Sequence, residues 1–85
     1  MTPSVVVMTV EGVYRNHGLQ LVGRLECGVR RGDEVEVNGE SVHILDIQVF
    51  EKSLDFAPAG YGVALAFQHD LPQAKVGDAV SKQST

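Results

Sequence analysis

Asn38-Gly39, set between Val35-Glu36-Val37 and Glu40-Ser41-Val42, constrains this chain more than any other pair of residues. A two-residue hairpin of type I′ needs positive φ at both central positions, and Asn-Gly reaches that conformation with little strain. The flanks alternate apolar and polar residues, as strands do when one face is turned inward. Val35 and Val37 are therefore expected inside, with Glu34 and Glu36 outside.

The same period recurs along the chain. Leu19, Leu21, Gly23 and Leu25 fall on one face, and Gln20, Val22, Arg24 and Glu26 on the other. Val5 to Arg15 is rich in β-branched residues. The stretch from Glu40 to Phe50 brings Leu45, Ile47 and Val49 to one side and turns Asp46 and Gln48 outward. Tyr61, Val63, Leu65 and Phe67 align, with the small Gly62, Ala64 and Ala66 opposite. A last short strand is expected near Gly77 to Val80, and Ser81 to Thr85 reads as a frayed tail. Gly28 and Gly32 suit a wider turn, and Pro72 marks a loop because it cannot donate to a ladder. Helical periodicity is poor. Five or six strands with turns roughly every 8 to 12 residues point to a sandwich or a closed barrel. Closure suits a small chain because it removes open edges.

Length allows one domain, taken as residues 1–85 with a core over about 5–80 and short frayed tails. An apolar content of 44% is ordinary for a globular protein. The formal net charge of −4 argues against DNA and against an anionic membrane, since both attract basic surfaces. Cys27 is the only cysteine, so no internal disulfide can form and a reducing compartment is the simple reading. The opening MTPSVVVMTV has no basic n-region and soon meets Glu11, which fits neither a signal peptide nor a membrane span. A cytoplasmic location is expected.

No catalytic constellation is legible. Neither GxxxxGK[ST] nor GxGxxG after a strand is present, which sets nucleotide hydrolysis aside. Arg24, Arg30 and Arg31 lie near Cys27 in sequence and would favour its thiolate. A small residue at a strand end is the plainer role, because no pattern places a base beside it. His17, His43 and His69 lack the short-range pairing of metal ligands and are read as surface residues, so no metal site and no cofactor is assigned. Asp46 is read as a polar residue on the exposed strand face. Arg24, Arg30, Arg31 and Lys52 could form an anion patch, but Glu26, Asp33, Glu34 and Glu51 dilute it. Phe50, Phe56 and Tyr61 are expected mainly in core packing, with exposure left open for Phe56, which follows Asp55 in an apparent loop.

One pattern is more specific. From Gly18 to Val37 the chain reads GxxxxGRLExGxxxxGDEVEV, and VFEKSLDFAPAGYGVAL and AKVGDAV follow in order. Together these resemble domain II of translational GTPases such as elongation factor Tu. The resemblance rests on Gly18, Gly23, Arg24, Glu26, Gly28, Gly32, Asp33, Lys52, Leu54, Ala59, Gly60 and Gly77, and covers about residues 5–80. It implies an all-β fold, a small closed six-stranded antiparallel Greek-key barrel. In that barrel Gly23 would lie where a backbone comes close, and Gly28 and Gly32 would serve turn conformations barred to other residues.

The resemblance also implies a ligand face. In elongation factors this domain helps hold the aminoacylated end of transfer RNA, and related barrels in other factors make protein or ribosome contacts. Here the first hairpin, with His17, is shorter. Gln48 stands in place of an acid, Glu51 in place of an arginine, Gly62 in place of an asparagine, and Tyr61 at a usually acidic position. These changes remove charged fixtures of the pocket and count against transfer-RNA binding. The sequence thus points to a non-enzymatic binding module for a protein or ribonucleoprotein partner, with His17, Gln48, Glu51, Tyr61 and Gly62 as contact positions. A small flavin- or thiol-dependent barrel enzyme is one alternative. A homo-oligomer that masks the edge left by the short hairpin is the other.

Overall fold

The computed structural model describes residues 3–16 and 18–83. Ten strands follow one another: β1 (Ser4–Thr9), β2 (Gly12–Tyr14), β3 (Leu19–Arg24), β4 (Val29–Arg30), β5 (Glu34–Val37), β6 (Glu40–Val49), β7 (Lys52–Leu54), β8 (Phe56–Ala57), β9 (Gly62–Phe67) and β10 (Ala79–Gln83). Among the described residues there is no helix, and so none long and apolar enough to cross a membrane.

The main hydrogen-bonded path runs β1-β10-β5-β6-β9-β3-β2, with β7 added to β6, and β4 and β8 form a separate pair. Among the described residues every pairing between these strands is antiparallel. The all-β expectation holds, but the strand count does not. Among the described residues ten strands are present where six were expected, and the path has two ends, β1 and β2, rather than a continuous ring of ladders. The count rises because short turns cut off two- and three-residue pieces, and because Val10 and Glu11 interrupt what would otherwise be one long first strand. Beyond the ladders, β1 and the end of β3 meet at one bridge, Met8 to Leu25, and the Glu26 N–H donates to Val7 O at 2.7 Å.

The alternating faces behave as physics demands for β3, β5 and β9. Leu19, Leu21, Leu25, Val35, Val37, Val63, Leu65 and Phe67 are buried with Val7, Met8, Ile44, Ile47 and Val80 in one apolar cluster. The Asn38-Gly39 turn joins β5 to β6 with φ of 55° and 83°, as the type I′ reading requires. Gly23 lies beneath the crossing of β1. A Cβ there would stand 2.7 Å from Met8 Cγ and press on the carbonyl of Thr9, so glycine alone fits without displacement.

Three local expectations are corrected. Leu45 does not join Ile47 and Val49 on one side: it is 56% exposed, while Val42 and Ile44 are buried with Ile47. The β6–β9 register slips between Ile44 and Asp46, so the extra residue of a bulge turns Leu45 outward. The bulge falls where β6 ends its pairing with β5, at His43, and before it takes up β7, at Ile47. Ser81, Lys82 and Gln83 are not a frayed tail but the second half of β10, paired with Val6, Val5 and Ser4. Gly28 does not adopt positive φ, unlike Gly32 at 92°. Its smallness serves packing instead, since a Cβ there would come 3.2 Å from the Phe56 ring.

Candidate binding surface

The outer face of β3, β9 and β6 is built on small residues. Gly62, Ala64 and Ala66 of β9 stand opposite Arg24, Val22 and Gln20 of β3. On the other side Ala64 faces Gln48, and Ala66 faces Asp46 of β6. Directly opposed residues share a face, so larger side chains flank a low central row. The row is low enough for Gln20 Nε2 to reach across β9 and donate to Gln48 Oε1 at 3.4 Å.

Asp46 organises the β6 side. Its carboxylate accepts from Ser53 Oγ at 2.8 Å, the Ile47 N–H at 2.9 Å, an Arg31 guanidinium N–H at 3.1 Å and Gln48 Nε2 at 3.3 Å. Partial burial pushes its pKa up, but the hydrogen bonds from Ser53, Gln48 and the Ile47 amide, with the Arg31 charge, outweigh that and hold the carboxyl below its ordinary value. Arg31 also contacts Asp55 at 3.4 Å and donates to Leu54 O. The acid is therefore engaged in tying β6 to β7 and to the segment before β8. It has little capacity left for a ligand.

The positions singled out from the sequence are partly gathered. Gln48 lies on β6 beside Ser53 and Ala64, with its amide in the Asp46 network. Glu51 lies in the β6–β7 turn, exposed. Gly62 opens β9, and Tyr61 precedes it, its carbonyl accepting the Leu25 N–H at 2.8 Å. The antiparallel register runs from Ile47–Leu65 to Gln48–Ala64, which carries the Phe50-Glu51 turn toward the Tyr61-Gly62 end of β9. These four positions thus belong to one end of the small-residue face. His17 lies outside the described residues.

Other candidates separate. The Arg30 guanidinium lies 5.5 Å from the centroid of the Phe56 ring, Arg31 is paired with acids, and Arg24 and Lys52 lie on β3 and β7. Cys27 is half-buried against the core, its Sγ 3.8 Å from Val6 O. His43 and His69 are exposed, and no group of three metal-capable side chains occurs among the described residues.

The core expectation fails for Phe50 and Tyr61, which are 94% and 47% exposed, while the exposure left open for Phe56 is found, at 49%. Phe50 is the functional candidate that the sequence reading placed wrongly. Val49 pairs with Lys52, so Phe50 and Glu51 are the two central residues of a hairpin loop, at φ of 50° and 66°. Neither residue type announces such a turn. The one available signal was Phe50 directly before Glu51-Lys52, where the apolar run stops.

The sheet order, the turn glycines and the face they frame define a class: the fold is that of domain II of translational GTPases such as elongation factor Tu. The solved structure that the chain resembles in particular is that of a bacterial selenocysteine-specific elongation factor, EF-Sec, with a TM-score of 0.71 and 25% identity. The match covers 93% of this chain and 14% of that one, so the chain spans about a seventh of the length of its structural relative. No protein-family model matches the sequence, and no curated protein does.

Proposed function

We propose that the chain is a non-enzymatic β-barrel binding module of the translation-factor type, which docks on a protein or ribonucleoprotein partner in the cytoplasm. The observation that carries this reading is the domain II fold shared with EF-Sec over 93% of the chain. In EF-Sec the matched region is a small part of a much longer protein. A domain of that kind contributes through the surfaces it presents, and this chain presents exposed aromatics at one end of its β6-β9-β3 face.

The closed six-stranded barrel is part of the same proposal. β1 and β2 are separated only by Val10 and Glu11, and they occupy the two ends of the sheet path. Taken as one bent strand, they join β3, β5, β6, β9 and β10 as a ring. The Met8–Leu25 bridge, together with the Glu11 N–H to Val22 O and Glu26 N–H to Val7 O bonds, would be its seam. In this arrangement β7 and the β4–β8 pair are additions at the rim.

Gln48, Glu51, Tyr61 and Gly62 are the proposed contact residues, with His17 assigned on sequence grounds alone. The test is affinity capture from lysate with the wild-type chain and a Glu51→Ala, Tyr61→Ala variant, each with and without nuclease treatment. A partner held by the wild type and lost by the variant supports the surface. A partner held equally by both removes these residues from it. Nuclease sensitivity separates a ribonucleoprotein from a protein.

A further inference from the structure

The chain builds the same two-residue turn twice. Between β5 and β6 it uses Asn38-Gly39, the pair best suited to positive φ. Between β6 and β7 it uses Phe50-Glu51, with both residues again in the left-handed region. Neither Phe nor Glu gains anything there, because a Cβ is disfavoured at positive φ and neither side chain is of the short Asn/Asp type that bonds locally. Nor does packing compensate. Phe50 is 94% exposed, the most exposed of the large apolar side chains among the described residues. Glu51 is exposed too and has no ion pair among the described residues. Strain kept without a folding return is a mark of a functional position.

We propose that Phe50 and Glu51 form a docking anchor: the Phe50 ring enters an apolar pocket on a protein partner, and Glu51 pairs with a Lys or Arg at the rim of that pocket. The proposal rests on the binding-module reading and adds to it the kind of partner. A rigid ring held out on a two-residue turn loses little conformational freedom on binding, and aromatics are enriched at the centre of protein interfaces. Nucleic acid fits less well. A base could stack on Phe50, but its phosphates would meet the Glu51 carboxylate on a chain of net charge −4. The free carboxylate beside the ring calls instead for a cation in the partner.

The test places the photocrosslinker p-benzoylphenylalanine in the full chain at position 50, at position 61, or at Val76, an exposed apolar control on the loop before β10. After irradiation in cell extract, adducts are treated with nuclease or protease and mapped by mass spectrometry. The expected result is a nuclease-resistant adduct at position 50 that maps to an apolar segment beside a Lys or Arg. Glu51→Lys in the same chain should cut its yield about tenfold, as like charges across an interface do. A nuclease-sensitive adduct, a map to an acidic segment, or a yield no higher than at Val76 would overturn the anchor. An adduct at 61 without one at 50 would leave the binding surface and reject the anchor, and none at either would count against both.

Strain at the Phe50-Glu51 turn has its own readout. Phe50→Asn with Glu51→Gly should raise the melting temperature by about 4 °C or more. The same variant should capture the crosslinked partner about tenfold less well. An unchanged or lower melting temperature would overturn the claim that strain is retained here, and unchanged capture would overturn the docking role.

Discussion

Gly23 and Asp46 show two ways in which a single residue acts on this fold. Gly23 admits the backbone of β1, and any Cβ would collide with Met8 and Thr9. Gly23→Ala should lower stability by about 1–3 kcal/mol, the usual cost of overpacking, in urea denaturation. The need for glycine there was legible, because an isolated glycine inside an alternating strand marks close approach. Asp46 was legible only as a polar residue facing outward. Its role as a four-donor acceptor depends on Gln48, which alternation sets on the same face, and on Ser53 and Arg31, which alternation does not bring there. Because its folded pKa is depressed below 3.8, its contribution is present above that value and is lost as pH falls through the lower folded pKa. Asp46→Asn should therefore flatten the fall in stability between about pH 5 and about pH 2 relative to wild type. Equal acid slopes for the two proteins, from urea midpoints at each pH, would remove Asp46 from the explanation.

At the scale of elements, β6 carries the main departure from sequence expectation. Strict alternation put Leu45 in the core, and the bulge put Ile44 there instead. Sequence cannot locate a bulge, because one inserted residue leaves an apolar run looking the same. Substitution distinguishes the two registers. Leu45→Thr should change stability by less than about 0.5 kcal/mol, as exposed positions do. Ile44→Ala should cost about 2–5 kcal/mol, as buried truncations do. A costly Leu45→Thr with a mild Ile44→Ala would restore the bulge-free register. The two hairpin turns make the same contrast. Asn38-Gly39 declares itself chemically, whereas Phe50-Glu51 is held in its turn by the strands on either side.

For the whole molecule, the decisive feature is how the chain on either side of the β1–β2 bend is held to β3 and the residues just after it. The Glu11 N–H donates to Val22 O beside the β2–β3 ladder, and the Glu26 N–H donates to Val7 O of β1. If these bonds seal a barrel, both amides should exchange with solvent as slowly as those of β3 and β9, near the rate set by global unfolding. Fast exchange of Glu11 and Glu26 beside protected β3 and β9 amides would show an open sheet with a loose seam. Measurement by native-state hydrogen exchange bears directly on the ring arrangement.

The sequence by itself determined the all-β class, the Asn38-Gly39 hairpin, the inward faces of β3, β5 and β9, and the resemblance to domain II. These follow from local chemistry: side-chain period, turn conformation and glycine tolerance act within a few residues. Only the tertiary structure decided the exposure of Phe50 and Tyr61, the outward turn of Leu45, and the pairing of Ser81 to Gln83 with β1. Each of these depends on which strand lies alongside, and that choice is made by burial and hydrogen bonding between residues far apart in the chain.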